Sequence, residues 1–418
     1  MPGFMSKKYL PIGIDIGSTA VRAIQLVRQG GEVHVHSALE LLSETNEQQF
    51  PIDLSDGSRD DEIVELVQKL HEQGGFRGRD VILHCPAGKM DLRLIELPGN
   101  VNDLPREAIL GAIRLRISGQ TSLPFEQVVI DYFCVNNNRH DHVQVMAVTA
   151  DSDWIKKRIG LIKAAGLNCV IMDAFAFTQD RIIAKSKKPA SCPGNQKKYD
   201  SSQDDSAGPE PKKLVAVLDI GYAGSTLVVR NNEGPVFCRR FTLGGRKITN
   251  LLTERLMVNY SQAEKIKCTF GFDCQVRQLC SATNSDSALA QQGREFDADI
   301  DNGIAAIVPG QVESDSELAK VVYAAIQNEL NDYIEAIIRS LNYVISCPGN
   351  SRLSEICLCG SGAHLKNLDS YLHDRFGLPV SIYSNSILDE IVPYLPPSQS
   401  GSGKWATALG LALAGEGK

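Results

Sequence analysis

Tyr9-Leu-Pro-Ile-Gly13-Ile-Asp15-Ile-Gly17 and, 204 residues later, Leu214-Val-Ala-Val-Leu-Asp219-Ile-Gly221 are the stretches on which the fold turns. Each is a short apolar run, of a length suited to a buried strand, stopped by Asp-Ile-Gly. Ser18 and Thr19 follow the first and lead into an apolar strand from Val21 to Val27. Gly224, Ser225 and Thr226 follow the second and lead into Leu227 to Arg230. Turns at Gly30-Gly31 and Asn231-Asn232-Glu233-Gly234 then open third strands, Val33 to Leu42 and Val236 to Leu243. A strand–turn–strand–turn–strand unit that recurs with its acid in place predicts two related α/β lobes.

Between the strands the apolar period becomes helical. Ile63, Val64, Leu66, Val67 and Leu70 mark an amphipathic helix over Asp60 to Glu72, and Ile326, Leu330, Ile334, Ile337, Ile338 and Leu341 mark a longer one over Val321 to Ile345. This alternation predicts a mixed sheet in each lobe. Two stretches do not fit a core. Residues 187–213 are rich in Pro, Ser, Gly and charge and read as a flexible linker dividing the chain nearly in half. Residues 270–316 read as a loop-rich insertion.

The 418 residues hold 43 Lys+Arg and 50 Asp+Glu, a net charge of −7, which leaves no electrostatic footprint for nucleic acid or an anionic membrane. No apolar run approaches the ~18–20 residues of a membrane span. The stretch after Lys7 and Lys8 is cut by Asp15 and lacks a cleavage site, so no secretory signal is expected. Eleven scattered cysteines read as reduced thiols of a cytoplasmic protein. The spacing of Cys268, Cys274 and Cys280 is wrong for zinc. Gly401-Ser-Gly403-Lys404 hints at a P-loop, but Trp405 follows Lys404 and no apolar strand leads in.

Candidate chemistry gathers at the turns. Successive backbone N–H groups in Gly17-Ser18-Thr19 would form an anion-binding concavity, with Asp15 beside a Mg²⁺ shell or a polarised water and Arg22 adding fixed positive charge. Asp219, Gly221, Ser225 and Thr226 repeat this arrangement, so two facing turns would clamp the phosphates of one nucleotide. Gly360-Ser361-Gly362, after the buried run Ile356 to Cys359, is either a slot for a flat adenosine or a crowded strand–helix turn. Gly244-Gly245 lies in the run Leu243 to Thr249, which an apolar-periodic segment follows at Leu251, Leu252 and Leu256. Ser261 and Glu264 are spaced as a capping box, while Glu264 and Lys267, one turn apart, could instead reach the ribose and base.

The order of these elements resembles the actin-like ATPase superfamily. Within it the chain is most similar to the PilM family of type IV pilus assembly, through GIDIGSTAVRAIQL, LHCPAGKMDLRLIELP (Leu83 to Pro98), KAAGLNCVIMDAFAF (Lys163 to Phe177), LDIGYAGSTLVV, FTLGGRKIT, SQAEKIK, EAIIRSLNYV, ICLCGSGAHLKNL and WATALGLALAG. The resemblance implies an actin-like ATPase fold of two lobes, 1–186 and 214–395, each with an inserted small subdomain, the first over about 90–147. It also implies a C-terminal segment, 396–418, whose helix returns to the first lobe. ATP and Mg²⁺ would lie between the lobes, with Asp15 and Asp219 at the metal. Gly17, Ser18, Thr19 and Arg22 would form the first phosphate motif, Arg22 standing where the superfamily usually has Lys. Gly221, Ser225 and Thr226 would form the second, and Gly360, Ser361 and Gly362 the adenosine motif. Gly244, Gly245, Glu264 and Lys267 would lie on the ribose side. Asp173 falls where many relatives carry a water-orienting Glu and is one methylene shorter, which implies slow or absent hydrolysis. The implied partner is the cytoplasmic N-terminal peptide of an inner-membrane PilN-like protein, docked in a groove of the first lobe. That would place the chain in the cytoplasm, peripheral at the inner membrane, with self-association open. A cell-division protein like FtsA and a sugar or acid kinase share the pattern and stay as alternatives.

Overall fold

In a computed structural model the described residues are 7–43, 59–98, 105–118, 125–135, 142–185, 212–272, 315–347, 350–391 and 401–417. Most of the expected linker and insertion lies outside them.

The first half carries β1 (Lys8–Tyr9), β2 (Ile12–Ile16), β3 (Ala20–Gln29), β4 (Glu32–Leu42), α1 (Asp60–Gln73), β5 (Asp80–Cys85), β6 (Met90–Pro98), α2 (Arg106–Ile117), β7 (Val128–Val135), β8 (His142–Asp151), α3 (Ser152–Ala164), β9 (Asn168–Ala174) and α4 (Phe175–Lys185). The second carries β10 (Lys212–Ile220), β11 (Ser225–Asn231), β12 (Gly234–Phe241), α5 (Gly245–Leu256), α6 (Tyr260–Phe270), α7 (Asp315–Ser346), β13 (Asn350–Cys359), α8 (Leu368–Phe376), β14 (Val380–Ile382), α9 (Ser386–Asp389) and α10 (Ala406–Ala414).

The repeat read in the sequence is a repeat of sheets. In the first half, β4, β3 and β2 are joined antiparallel, and β2 continues parallel to β5 and β9. In the second half the order β12-β11-β10-β13-β14 has the same directions. The two turns also match: the N–H of Gly17 donates to the carbonyl of Ala20 and that of Gly221 to Gly224, both at 2.9 Å. The structural counterparts of Ser18 and Thr19 are therefore Tyr222 and Ala223, while Ser225 and Thr226 already stand on β11. A third sheet, β6-β8-β7, is antiparallel and covered by α2 through Ile109, Ile113 and Ile117, whose spacing puts one stripe on the sheet.

The seam between the halves is built by α10. Ala406 through Leu413 are all buried, as an all-apolar helix must be. Its cluster joins Ile24, Leu26 and Phe175 of the first half to Val217, Val228 and Cys359 of the second. Gly13 lets β2 approach this helix: a Cβ there would lie 2.3 Å from the backbone nitrogen of Ala412. Helix α6 is capped by Asn259, whose side chain accepts from the N–H of Gln262 while Gln262 returns the bond. The capping box expected of Ser261 and Glu264 is therefore set two residues earlier, and Glu264 has another task.

Candidate functional site

Two rows of side chains define the cleft between the lobes. On the first sheet Asp15, Arg22 and Glu40 lie opposite one another across β2, β3 and β4. On the second, Asp219, Thr226 and Arg240 do so across β10, β11 and β12. The cleft has a volume of about 250 Å³, and Asp15, Gly17, Ser18, Thr19, Arg22, Asp219, Gly221, Thr226, Gly360 and Ser361 all line it. Ten residues chosen from three separated stretches thus converge on one cavity.

The acids differ in surroundings. Asp15 has His84 Nε2 at 3.2 Å from one oxygen and Arg22 at 3.8 Å from the other. Arg22 holds Glu40 through Nε and a terminal nitrogen, both at 2.7 Å, and Lys404 Nζ takes the other Glu40 oxygen at 2.9 Å. The Glu40 side chain is 2% exposed, so this cluster is charge-matched in a setting where an unpaired carboxylate would be costly. Among the described residues the Asp219 carboxylate has only the Thr407 hydroxyl, at 3.5 Å. Burial first, and then the negative charge of Asp15, pushes its carboxyl up to about 7, against the smaller pull of His84 and Arg22.

A Mg²⁺–nucleotide fits this donor set. Mg²⁺ takes one or two carboxylates together with phosphate oxygens and waters, and Asp219 is a half-buried oxygen donor on the cleft wall with no ion-pair partner among the described residues. Among the described residues no group of three or more His, Cys, Asp or Glu could hold a metal by itself. Arg22, Lys89, Arg158, Arg240 and Lys404 supply positive charge around the cavity.

The remaining expected residues lie elsewhere. Ser225 is buried, and its oxygen accepts from the Tyr333 hydroxyl at 2.7 Å. Gly244 packs behind the second turn, where a Cβ would meet Gly224 N at 2.4 Å, and Gly245 N donates to Gly221 O. Lys267, 6% exposed, bonds Glu264, Thr249 and the carbonyl of Gly245. Glu264 also accepts from Thr249, so the pair braces the start of α5 and does not line the cleft. Gly360 has φ of +81°, and its Cβ, like that of Gly362, would strike Ile220, so the crowded-turn reading describes both. Asp173 is turned away from the cleft: its carboxylate accepts from Thr178 at 3.0 Å and pairs with Arg181 at 2.9 Å.

His84, Glu40 and Lys404 were not foreseen. A register shift explains Glu40: a bulge between Gln25 and Leu26 moves the β3–β4 pairing by one residue, so Arg22 faces Glu40, whereas plain counting from the Gly30-Gly31 turn gives Leu39. His84, at the end of the parallel strand beside β2, could have been found by asking which side chain that strand end presents.

A second cavity of about 360 Å³ lies between the β6-β8-β7 sheet and the α3–β9–α4 face. Met90, Tyr132, Phe133, Met172 and Phe177 line it, with Asp173 and Cys85, and Phe133 meets Phe177 edge-on at 5.1 Å.

Comparison with known proteins places these features. The family model described as Type IV pilus assembly protein PilM matches residues 13–280, and that of Cell division protein FtsA matches 216–410. A solved PilM-PilN type IV pilus biogenesis complex is similar at 20% identity over 97% of this chain and 98% of its own, with a TM-score of 0.66. Ethanolamine utilization protein EutJ from Carboxydothermus hydrogenoformans (12% identity, 97% and 89% covered, TM-score 0.45) is more distant. So is MreB5 of Spiroplasma citri bound to AMPPNP (13% identity, 97% and 98% covered, TM-score 0.40).

Proposed function

This chain belongs to the PilM family of type IV pilus assembly proteins, with the fold of the actin-like ATPases, and from that premise we propose that it is a nucleotide-dependent docking scaffold. In this reading Mg²⁺-ATP lies in the interlobe cleft and the closed form binds the cytoplasmic N-terminal peptide of a PilN-like inner-membrane protein. The observation that carries the nucleotide half is the pair Asp15 and Asp219, which close corresponding strands of two matching sheets onto one cavity. Asp15 and Asp219 would hold the metal, which neutralises phosphate charge when bound. Arg22 and Thr226 would orient the phosphates. The Gly360 turn, pressed on Ile220, would form the floor under the nucleoside.

The peptide half rests on the second cavity. It is apolar and aromatic, and β7 is an edge strand of its sheet, so an extended peptide could add backbone bonds while its side chains fill the space. The two cavities share walls. On β5, His84 faces the nucleotide cleft and Cys85 the groove; at the β9–α4 corner, Phe175 lines the cleft and Phe177 the groove. His84 and Phe175 are in ring contact at 5.3 Å on the cleft side, and a shift of this pair on ligand binding would pass along the chain to Cys85 and Phe177 in the groove. A ligand moves the equilibrium only as far as it prefers one state, which a closed-cleft preference of ATP supplies. With Asp173 engaged by Thr178 and Arg181, the role calls for binding and needs no rapid turnover.

No helix among the described residues is long and apolar enough to cross a membrane, and the proposed location, cytoplasmic at the inner membrane, runs through the partner. The test is the affinity of a labelled N-terminal PilN-type peptide without nucleotide, with Mg²⁺-ADP and with Mg²⁺-ATP. Tightening by ATP that Phe177→Asp abolishes is expected. Equal affinity in all three conditions would refute the coupling.

A further inference from the structure

Gly401-Ser402-Gly403-Lys404 fails as a P-loop, yet its lysine lines the nucleotide cleft. The turn Ser402–Trp405 is seated on the second lobe. Gly360 N donates to Gly403 O at 3.0 Å, Gly403 N donates to His364 Nε2 at 3.2 Å, and the Ser402 hydroxyl donates to Tyr383 O at 3.0 Å. A Cβ on Gly401 would lie 2.7 Å from His364 Nε2, so that glycine lets the turn sit flush. From this second-lobe seat Lys404 crosses to Glu40 on β4 of the first lobe, where Arg22 already sits.

Two cations therefore share one carboxylate, and with Asp15 the four charges balance, so an incoming anion is not repelled by this wall. The Glu40 bond occupies one of the three donors of the Lys404 ammonium. Lys404 is 13% exposed at its side chain, a setting in which charge is weakly screened.

We propose that Lys404 is a further binding residue of this cleft, contacting the terminal phosphate of a nucleoside triphosphate. Glu40 is the positioning residue that holds Lys404 and Arg22 side by side. This rests on the nucleotide reading above and deepens it: with Lys404 in place the cleft prefers a triphosphate to a diphosphate, because the extra phosphate meets the ammonium donors that the Glu40 bond leaves over. A donor of this kind is compact and rotatable, suited to follow a phosphate between two oxygens.

The test is calorimetric titration of the full chain with Mg²⁺-ATP and Mg²⁺-ADP, on wild type, Lys404→Gln, Lys404→Arg and the double variant Glu40→Gln/Lys404→Gln, each with a thermal melt. The wild type is expected to favour ATP. Lys404→Gln should lose about tenfold of the ATP-to-ADP affinity ratio, the scale of one charge-assisted hydrogen bond, and Lys404→Arg should regain most of it. The double variant leaves no orphaned Glu40 charge, so it reads the ratio even where the single change impairs folding, and it too should lose the preference. If melting drops while the ratio stays at its wild-type value, Lys404 is only a strut for Glu40 and the inference is overturned. A wild type that binds neither nucleotide overturns the nucleotide reading itself, a separate and visible failure.

Discussion

The rows Asp15–Arg22–Glu40 and Asp219–Thr226–Arg240 occupy corresponding positions on two matching sheets, yet they solve different electrostatic problems. The first is charge-matched from within, with His84 and Lys404 completing it. The second leaves its half-buried acid without an ion pair among the described residues, with one hydroxyl at 3.5 Å and a carboxyl pushed up to about 7. The lesson is that a repeated motif need not mean a repeated role. The first acid has its partners before any ligand arrives, whereas the second, with its carboxyl raised to about 7, still holds part of its proton at neutral pH until a cation favours the charged form.

The backbone carries the same asymmetry. Gly13 on β2 corresponds to Val217 on β10, because α10 presses on the first sheet at that point. The largest expected effect is therefore Gly13→Ala: its Cβ would meet Ala412 backbone at 2.3 Å, which side-chain motion cannot relieve. A loss of about 3 kcal/mol or more is expected by denaturant titration, at the upper end of overpacking costs. A change under ~0.5 kcal/mol, the level of a neutral surface substitution, would show that α10 can slide.

Next is the removal of either acid. Asp15→Ala and Asp219→Ala should each weaken Mg²⁺-ATP binding on the order of a hundredfold, the scale of losing a partner to a charged group. The unliganded proteins should diverge. Asp15→Asn takes the carboxylate from His84 and the weaker of two acidic partners from Arg22 and lowers the melting temperature, whereas Asp219→Asn raises it at pH 8. Melts that move in the same direction would erase the contrast between the rows.

The third prediction is the pH dependence. The Asp219 carboxyl is raised from 3.8 to about 7 in the fold. Its favourable contribution is thus complete below about pH 4 and is lost as pH climbs through about 7. The stabilisation given by Asp219→Asn should therefore be absent at pH 4, grow from there to about pH 7, and level off above. Mg²⁺-ATP affinity of the wild type should fall as pH drops below 7, by at most about tenfold per unit for one proton. A flat profile would contradict the assignment. The smallest effect belongs to Glu264→Gln, because Glu264 braces Lys267 and Thr249 outside the cleft. Nucleotide affinity within about twofold of wild type is expected, well under the cost of a lost charged hydrogen bond. A tenfold loss would return Glu264 to the ribose side.

Much of this was legible in the chain because strands declare themselves locally. The Asp-Ile-Gly stops, the hairpins after them and the helix over Asp60–Gln73 are each set by neighbours in sequence. The third strand of the second lobe stops at Phe241, short of the expected Leu243, since Gly244 must tuck under Gly224. What sequence could not give was pairing at a distance. Glu40 meets Arg22 only through a one-residue bulge, Lys404 arrives from the last tenth of the chain, and Asp173 is captured by Arg181 on the following helix. Ser225 looked like a phosphate ligand because it repeats a hydroxyl, but its side chain points to the inner face of β11, where Tyr333 waits.

The claim beneath all of this is that Asp219 gives up a proton when a magnesium nucleotide enters the cleft. Titrating the wild type with Mg²⁺-ATP at pH 7 in buffers of different ionisation enthalpy measures it directly. We expect one nucleotide per chain and a release of about half a proton, the fraction held by a group with its midpoint at that pH, absent in Asp219→Asn. Binding with the same enthalpy in every buffer, or no binding at all, would contradict the account.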